Sequence, residues 1–398
     1  MADEQVFSVR ADVYKAGVLA AGLGRTPSGT HFQYLADYLA SGRVPVASTL
    51  PLTAVPTVLP AGAVPPYFAG LLPEGRRLTT LRRAIKASAD DELALLLAVG
   101  ADTVGDVQVV PHGEKLSEPA PLLEIPNDLS DFSFATALNE RGIVDRIGIP
   151  GVQDKVSGRM ISLPARASTS DLIVKLSPPE FEFVVENEAF FLNVARQAGL
   201  RTPDWRLVQD SQGVTALLVE RFDRVGTGPP KKRLAFEDAA QALGLWPADK
   251  YNVTLEEVGQ RLMRLTAAPS VAALELFRQV AFAMLIGNGD QHAKNLAVLA
   301  TETGEWRISP AYDLISTLPY GDNTLALTLD GSSSPFSRRK LLSYAALLGL
   351  TQKLAEKALD EMLRRTEPLL SNLTLPYSQN VLREMRETLA YRRRQLTA

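Results

Sequence analysis

Cysteine is absent from this chain, which excludes disulfides, thiolate metal sites and cysteine nucleophiles. Histidine is scarce, and the three positions His31, His112 and His292 are too widely spaced to suggest a zinc site. The chain also lacks an excess of positive charge, with a formal net charge of −3. No global positive field would hold nucleic acid, so we expect any contact with DNA to come through a partner.

Long apolar segments are missing as well. No uninterrupted apolar run reaches the roughly 18 residues needed to span a bilayer. The N-terminus lacks the basic segment followed by an apolar one that marks a signal peptide. With 46% hydrophobic and 22% charged residues, the composition is that of a soluble globular protein of two or three domains. We therefore expect a cytoplasmic protein with no membrane partner.

The segment Asn288–Asn295, read with Tyr312-Asp313 further on, is the most informative part of the chain. It places Asp290 first, Asn295 five positions later, and Asp313 beyond a predicted β-hairpin. Phosphoryl transfer from a nucleoside triphosphate needs one carboxylate for the attacking hydroxyl, plus an amide and a second carboxylate for magnesium. Magnesium takes oxygen ligands and few of them from protein, so Asn295 and Asp313 are an adequate share. The pattern predicts a kinase.

An Asn-Gly-Asp sequence is also typical of an ordinary turn, because Gly and Asn tolerate positive φ. The flanking sequence favours a functional site. The apolar segment Phe277–Ile286 predicts a buried helix that leads directly into the loop. Leu296–Leu299 and Trp306–Ile308 predict two short strands about a turn. These elements would bring the two aspartates and the asparagine together at one end of a hairpin.

A lysine within a predicted strand is the best sign of a nucleotide site. Lys175 interrupts the apolar run Leu172–Leu176, where an unpaired ammonium would be costly to bury. Either the side chain reaches solvent at a strand edge, or it has an anionic partner such as the α- and β-phosphates. Glu188, on the following helix, could orient it, as a lysine–glutamate pair does in protein kinases.

Two further segments fit a nucleotide site less specifically. The glycines of Gly148–Lys155 would let backbone amides approach phosphate oxygens, although a plain hairpin is the alternative. The segment Glu220–Asp223 follows a predicted strand and would offer backbone groups to an adenine edge and Asp223 to ribose hydroxyls. A charged linker is the alternative there. The order of all these pieces along the chain is the one that a two-lobed kinase requires.

The chain divides into three predicted domains. Residues 1–125 mix short β-like runs with helical segments at Leu78–Ala87 and Asp91–Val99, and end in a segment predicted to be a linker. Residues 126–224 hold four strand candidates and a helix from about Glu186 to Ala198, ended by Gly199. Residues 225–398 are predicted to be mostly helical apart from the hairpin. The fold class is therefore α+β.

At the level of whole motifs, the chain resembles the HipA family of serine/threonine kinase toxins. In the N-terminal part, the resemblance is carried by Tyr67–Gly75 and Val104–Gln108. In the remainder it is carried by Gly151–Lys155, Ile173–Leu176, Glu186–Phe190, Val219–Arg224, Asn288–Asn295 and Tyr312–Ser316. The similarity spans most of the chain.

The resemblance implies a bilobal protein-kinase-like fold with an additional small N-terminal HipA-type subdomain, and ATP and Mg²⁺ as cofactors. Asp290 would be the catalytic base, with His292 in an electrostatic role, and Asn295 and Asp313 would be the magnesium ligands. The implied nucleotide-binding residues are Gly151, Val152, Gln153, Lys155, Lys175, Glu220, Phe222 and Asp223, where Glu220 and Phe222 act through their backbones.

The resemblance also implies partners. Family members phosphorylate a protein serine or threonine, in some cases on an aminoacyl-tRNA synthetase, and thereby arrest growth. They are usually paired with a HipB antitoxin, a helix-turn-helix dimer through which the complex reaches DNA. The chain departs from the family at Gly148, where many members carry a serine whose autophosphorylation inactivates the enzyme. Self-inhibition by that route is therefore in doubt.

Two other functions remain open at this stage. Phosphoinositide kinases and antibiotic phosphotransferases share the Gly-Asp-x-His-x-x-Asn pattern, but a lipid kinase should show a basic or apolar membrane-docking patch. The one conspicuous basic run, Arg392–Arg394, is explained by a solvated helix end. The second alternative is a corepressor subunit that binds an antitoxin without turning over ATP. The presence of every catalytic position argues against it.

Overall fold

A computed structural model describes residues 9–60, 62–88, 90–140, 160–168, 170–227, 231–334 and 337–397. The β-strands within these ranges are β1 (Val9–Lys15), β2 (Val18–Thr26), β3 (Gly29–Tyr34), β4 (Thr57–Leu59), β5 (Val107–Pro111), β6 (Leu123–Glu124), β7 (Ile161–Ala167), β8 (Ser170–Leu176), β9 (Trp205–Gln209), β10 (Thr215–Glu220), β11 (Arg224–Val225), β12 (Lys232–Arg233), β13 (Phe236–Asp238), β14 (Ala297–Ala300) and β15 (Trp306–Ile308).

The α-helices within the same ranges are α1 (Ala36–Ala40), α2 (Pro66–Ala69), α3 (Gly75–Ile85), α4 (Glu92–Val99), α5 (Phe134–Glu140), α6 (Val184–Gln197), α7 (Ala239–Leu243), α8 (Leu255–Leu265), α9 (Pro269–Ile286), α10 (Arg338–Leu347), α11 (Gln352–Ser371) and α12 (Gln379–Thr397). Short 3-10 helices lie at Gly100–Asp102, Pro247–Asp249, Ala293–Asn295 and Leu318–Tyr320.

Contacts between residues divide the chain into two compact units. The first unit contains Met1–Ala120, Asp223–Lys250 and Leu299–Gly304, and the second contains Pro121–Phe222, Tyr251–Val298 and Glu305–Ala398. The contact division assigns the stretch after Phe222 to the first unit. The three-domain division at residues 125 and 224 stays a prediction.

The first unit is built on an antiparallel sheet of five strands in the order β4-β3-β2-β1-β5. Its core contains Val13, Leu23, Phe32, Tyr67 and Val109, which are all buried. Apolar residues recur at every second position along the central strands, because alternate side chains of a strand point to the same face. The helical segments predicted near residues 78–87 and 91–99 are confirmed as α3 and α4.

The second unit contains a five-stranded sheet in the order β6-β7-β8-β10-β9, in which β6 is parallel to β7 and the other pairs are antiparallel. The four predicted strands and the helix α6 are confirmed. The strand β6 corrects the prediction that its segment is only a linker, since Leu123 pairs with Ala165 of β7. The partner strand lies far along the chain, so a local pattern carries little sign of this pairing.

The helical part of the second unit surrounds α9, which packs against α8, α10, α11 and α12. In the sequence we found no apolar run long enough to span a bilayer, but α9 is long and apolar enough to do so. Of this helix, 67% is buried inside the protein. It is therefore the core helix of a globular unit. The prediction of a mostly helical chain after Arg224 was incomplete, because the short strands β11, β12 and β13 come first.

The arginine run near the C-terminus also differs from the prediction. Arg392 is fully buried, and its guanidinium donates to the carbonyl of Met284 at 2.8 Å and to that of Asn323 at 2.8 Å. Arg394 is exposed. The run is therefore not simply a solvated helix end, since its first member is a structural cation that binds the last turn of α9.

Candidate active site

The helix α9 delivers the chain into the predicted catalytic loop through a glycine. Gly287 has φ of +71°, and the amide of the next residue, Asn288, donates back to the carbonyl of Ala283 at 2.9 Å. Glycine adopts this left-handed conformation without the Cβ penalty, so it ends a helix readily. A buried apolar helix with a glycine at its end thus fixes where the loop begins.

Glycine is required at position 289 because Thr317 and Asp322 lie too close to leave room for a side chain. Its amide donates to the hydroxyl of Thr317 at 3.0 Å, and a Cβ at this position would lie 2.7 Å from both that hydroxyl and a carboxylate oxygen of Asp322. The amide of Thr317 also donates to the carbonyl of Gly287 at 2.9 Å. The loop is therefore anchored on a second segment, and a side chain at residue 289 would push the two apart.

Asn288 joins the two segments that carry the predicted catalytic residues. Its Oδ1 accepts the amide N–H of Asp290 at 2.9 Å, and its Nδ2 donates to the carbonyl of Asp313 at 3.2 Å. Asn295 in turn donates from Nδ2 to the carbonyl of Asp290 at 2.9 Å. The segments that carry Asp290 and Asp313 are thus joined through Asn288, and Asn295 is bonded directly to Asp290, while the catalytic and metal-binding roles of the three stay a prediction.

Asp290 is buried and its carboxylate accepts a hydrogen bond from a tyrosine. The hydroxyl of Tyr251 lies 2.6 Å from Oδ1 of Asp290, and the ring of Tyr251 meets that of His292 edge to face at 5.0 Å. The loop and Tyr251 are separated by 39 positions in the chain. Tyr251 was missed in the sequence analysis because no local pattern connects it with the loop.

Lys175 lies in the central strand β8, between Ser162 of β7 and Leu217 of β10. Its ammonium is 2.6 and 2.9 Å from the two carboxylate oxygens of Glu188, and it also contacts Oδ1 of Asp313. The predicted Lys175–Glu188 pair is thus confirmed. The alternative that Lys175 reaches solvent is wrong, because only 5% of the residue is exposed.

One ammonium is therefore shared by two carboxylates in a buried site. Burial by itself would lower the pKa of Lys175, but the charges of Asp313 and Glu188 outweigh it and raise that pKa. Burial raises the pKa of Glu188 to about 6, and the charge of Asp313 adds to this although Lys175 opposes it. The cluster carries one negative charge in excess when all three groups are ionised, which suits a site for a cation.

Asp313 is held in an uncommon backbone conformation. Its φ is +52°, in the left-handed region that residues other than glycine seldom adopt. Next to it, the hydroxyl of Tyr312 donates to the carbonyl of Lys294 at 2.6 Å, and the Tyr312 ring lies 5.8 Å from that of Phe222. Backbone strain of this kind is found at functional sites, where surrounding contacts over-determine the conformation.

The predicted adenine and ribose residues have contacts of their own. The amide of Glu220 donates to the carbonyl of Asp204 at 2.8 Å, so Glu220 could meet an adenine edge only as an acceptor. Asp223 is buried in the first unit, where its carboxylate accepts the amide of Gly105 at 2.8 Å and pairs with Arg224. A ribose contact of Asp223 stays a prediction, and it would compete with these bonds.

Gly151, Val152, Gln153 and Lys155 lie outside the described residues, as does Gly148. Their phosphate-binding role stays a prediction.

The donor set fits magnesium better than a transition metal. The described residues contain no cluster of three or more His, Cys, Asp or Glu that could hold a metal ion. Asn295 commits its Nδ2 to the carbonyl of Asp290, which leaves Oδ1 as the amide atom suited to a cation. The side chain of Asp313 is 27% exposed and forms an ion pair with Lys175. An amide oxygen and a carboxylate are the hard ligands that magnesium takes, with water completing its shell.

The fold is of the α+β class, and comparison with known proteins identifies the family to which the chain belongs. The HipA-like C-terminal domain matches residues 147–369, and the HipA N-terminal domain matches residues 11–110. The first match covers more than half of the chain. The chain belongs to the HipA family.

Relatives and solved structures agree with this assignment. The chain is 33% identical to Y4dM of Sinorhizobium fredii, a protein named as a kinase, over 76% of this chain and 75% of the relative. It is 28% identical to the serine/threonine-protein kinase toxin HipA of Shewanella oneidensis, over 86% of this chain and 83% of the relative.

The fold is that of a solved HipA. One matching structure is the Shewanella oneidensis complex of HipA, HipB and operator DNA, with a TM-score of 0.75, 23% identity and 97% coverage of both chains. The predicted α+β, protein-kinase-like fold with an N-terminal HipA-type part is confirmed.

Proposed function

We propose that this chain is an ATP-dependent serine/threonine protein kinase that acts as the toxin of a toxin–antitoxin pair. One observation carries the proposal: Asn288 joins Asp290 to Asp313, and Asp313 shares Lys175 with Glu188. A single bonded network therefore contains a candidate base, a candidate metal ligand and a candidate phosphate-binding lysine. Such a set matches the requirements of phosphoryl transfer, which are positioning and charge stabilisation.

In this mechanism the oxygen of a substrate Ser or Thr attacks the γ-phosphorus of ATP, and the bond between that phosphorus and the β,γ-bridging oxygen breaks to release ADP. When bound, Mg²⁺ neutralises phosphate charge, and Asn295 and Asp313 would hold it. Asp290 orients the attacking hydroxyl and accepts its proton. Lys175 binds phosphate oxygens, and Glu188 keeps its ammonium oriented. His292, buried beside Asp290, contributes to the electrostatics of the loop.

The partners of the protein follow from the same proposal. A HipB-like helix-turn-helix antitoxin would bind the toxin, neutralise it and connect it to DNA. The structural neighbour supports this, since it is a complex of HipA with HipB and operator DNA. The target would be a protein serine or threonine, and the resemblance points to an aminoacyl-tRNA synthetase, whose phosphorylation would arrest growth. Such a toxin would act in the cytoplasm and account for persistence.

Radiolabel transfer from γ-labelled ATP tests the proposal. The purified protein is incubated with Mg²⁺ and a panel of aminoacyl-tRNA synthetases, beside the variants Asp290→Asn and Lys175→Ala. We expect label on one protein with the wild type and none with either variant, since loss of a general base alone costs about 10²- to 10⁴-fold. Asp131→Asn, at an exposed position, is the matched control and should keep full activity.

The outcome also separates the alternatives. Label on a lipid or a small molecule, with none on protein, would favour the other kinase classes. Antitoxin binding by a wild type that labels nothing would favour a non-catalytic corepressor. Full activity in Asp290→Asn would mean that the site is misassigned.

A further inference from the structure

Asn187, the residue before Glu188 on α6, is fully buried and pairs with the segment that follows Asp313. Its Oδ1 accepts the amide N–H of Ser316 at 2.9 Å, and its Nδ2 donates to the carbonyl of the same residue at 3.0 Å. The side-chain amide thus satisfies both backbone groups of Ser316, as a neighbouring strand would. These two bonds join the segments that carry Glu188 and Asp313.

The second hydrogen of Asn187 Nδ2 begins a chain of hydroxyl groups. It is donated to the hydroxyl of Tyr377 at 3.0 Å, which lies 2.6 Å from the hydroxyl of Tyr320. Tyr320 donates its single hydrogen to the carbonyl of Glu182 at 3.1 Å. Tyr377 must therefore donate to Tyr320, because each hydroxyl has one hydrogen. This series of hydrogen bonds leads back to Glu182, just before α6. The first turn of α6 therefore has hydrogen bonds at both of its ends.

Tyr377 and Tyr320 keep their hydroxyl hydrogens at any ordinary pH. Burial raises the pKa of Tyr377 to about 12 and raises that of Tyr320 further. Each tyrosine also packs against a phenylalanine, since Phe183 lies 5.8 Å from the Tyr377 ring and Phe181 lies 5.3 Å from the Tyr320 ring. Asn187 itself is fully buried and has partners for its polar atoms, and buried hydrogen bonds of this kind are costly to disturb.

We propose that Asn187 is a positioning residue that holds Glu188 and Asp313 in the geometry in which Lys175 reaches both. The proposal rests on the proposed kinase function and adds to it a residue that touches neither nucleotide nor metal. Its physical basis is charge. Glu188 and Asp313 repel each other, and the ammonium of Lys175 between them opposes this repulsion.

When Lys175 and Asp313 bind ligands, the two segments need a connection that does not depend on the charge of Lys175. The bonds from Asn187 to Ser316 are such a connection. Once Lys175 binds phosphate and Asp313 binds a cation, the ammonium no longer holds the two segments together. The bonds from Asn187 to Ser316 are between neutral groups, so they persist through that exchange. They keep the helix that carries Glu188 beside the segment that carries Asp313.

Steady-state kinetics of Asn187→Ala test the proposal, with Asn193→Ala as the control on the same helix at an exposed position. Truncation leaves the buried backbone groups of Ser316 without their partners. We expect kcat to fall about 10- to 100-fold and the half-saturating Mg²⁺ concentration to rise. The control should match the wild type. A change in KM for the protein substrate alone, with kcat and Mg²⁺ dependence unchanged, would overturn the positioning role.

A double-mutant comparison asks whether Asn187 acts through Glu188. If it does, the fold-loss caused by Asn187→Ala should be smaller in the Glu188→Gln background than in the wild type, since one of the two positioned groups is already lost. Losses that multiply would overturn the proposal. Tyr377→Phe is the milder variant for the case in which Asn187→Ala does not fold. It removes one of the three bonds and should shift the Mg²⁺ dependence in the same direction by less.

The inference can fail separately from the proposed function. A wild type that transfers phosphate to no substrate and binds no Mg-ATP in calorimetry would overturn the kinase function. In that case urea unfolding still tests the bonds from Asn187 to Ser316. The four proteins compared are the wild type, Asn187→Ala, Glu188→Gln and the double variant. Midpoint shifts that are not additive show that Asn187 restrains the ion-pair segment. Additive shifts show only local packing, and they overturn the positioning role.

Discussion

The hydroxyl of Tyr251 donates a 2.6 Å hydrogen bond to Oδ1 of Asp290, the candidate catalytic base. The same ring meets the imidazole of His292 edge to face, so Tyr251 contacts both of the predicted catalytic residues in the loop. A hydrogen bond to a charged acceptor is short and roughly twice as strong as a neutral one. Tyr251 therefore restrains the orientation of the carboxylate before any substrate binds.

Replacement of Tyr251 by Phe should slow phosphoryl transfer while leaving the fold intact. The ring remains, but Asp290 loses the bond that orients it, and hydrogen bonds to charged groups contribute about 1.5–3 kcal/mol. We expect kcat to fall about 10-fold. Radiolabel transfer measures this, with Tyr391→Phe, at an exposed tyrosine of α12, as the control. Equal rates for both variants would show that Asp290 is oriented without Tyr251.

The ion-pair cluster should make stability depend on pH through Glu188. The pKa of Glu188 in the folded state, about 6, lies above its ordinary value of 4.5. The folded protein therefore binds the proton more tightly than the unfolded chain, and this contribution is full below pH 4.5 and lost as pH rises through 6. The loss amounts to roughly 2 kcal/mol.

Urea unfolding between pH 4.5 and 7 measures this contribution as the difference between wild type and Glu188→Gln. Gln cannot titrate, so carboxyl groups that do not interact with Glu188 cancel in the difference. The wild type should lose stability relative to the variant as the pH rises. Parallel curves would mean that Glu188 has an ordinary pKa in the folded protein.

Arg392 should be important for stability through the helix that delivers the catalytic loop. Burial lowers the pKa of its guanidinium to about 10, so it stays charged at neutral pH, and it donates to the carbonyls of Met284 and Asn323. Arg392→Met would leave these buried acceptors unpaired and should reduce the free energy of unfolding by about 2–4 kcal/mol. Arg394→Met, on the same helix but exposed, should change it little. Thermal denaturation of the two variants decides the point.

Gly289→Ala should displace the catalytic loop. The new Cβ would lie 2.7 Å from Thr317 Oγ1 and Asp322 Oδ2, so one of the segments must move. Overpacking of this kind costs about 1–3 kcal/mol, and we expect activity to fall more than stability because Asp290 is the next residue. Gly22→Ala is the control, since a Cβ there meets no described atom within 4 Å. Unchanged activity in Gly289→Ala would show that the loop tolerates the shift.

Some parts of the fold and site were predictable because their causes are local. The helix α6 ends before Gly199, and α9 ends at Gly287, where positive φ suits glycine. Lys175 lies inside an apolar strand, so the sequence predicted an anionic partner for it, and Glu188 is that partner. Other parts depend on partners far along the chain. Tyr251 and Arg392 look like ordinary surface residues in the sequence, and only their contacts show otherwise.

By itself, the sequence determined which side chains the proposed phosphoryl transfer depends on: acidic, amide and basic groups in the order and spacing of the HipA family. Residue type and spacing suffice for this, because chemistry is a property of side chains and helix or strand periodicity is local. Only the tertiary structure decided how the groups are held. The bonds from Asn187 to Ser316 and from Arg392 to the end of α9 join distant segments. Their formation depends on the packing of the whole second unit, which no window of the sequence contains.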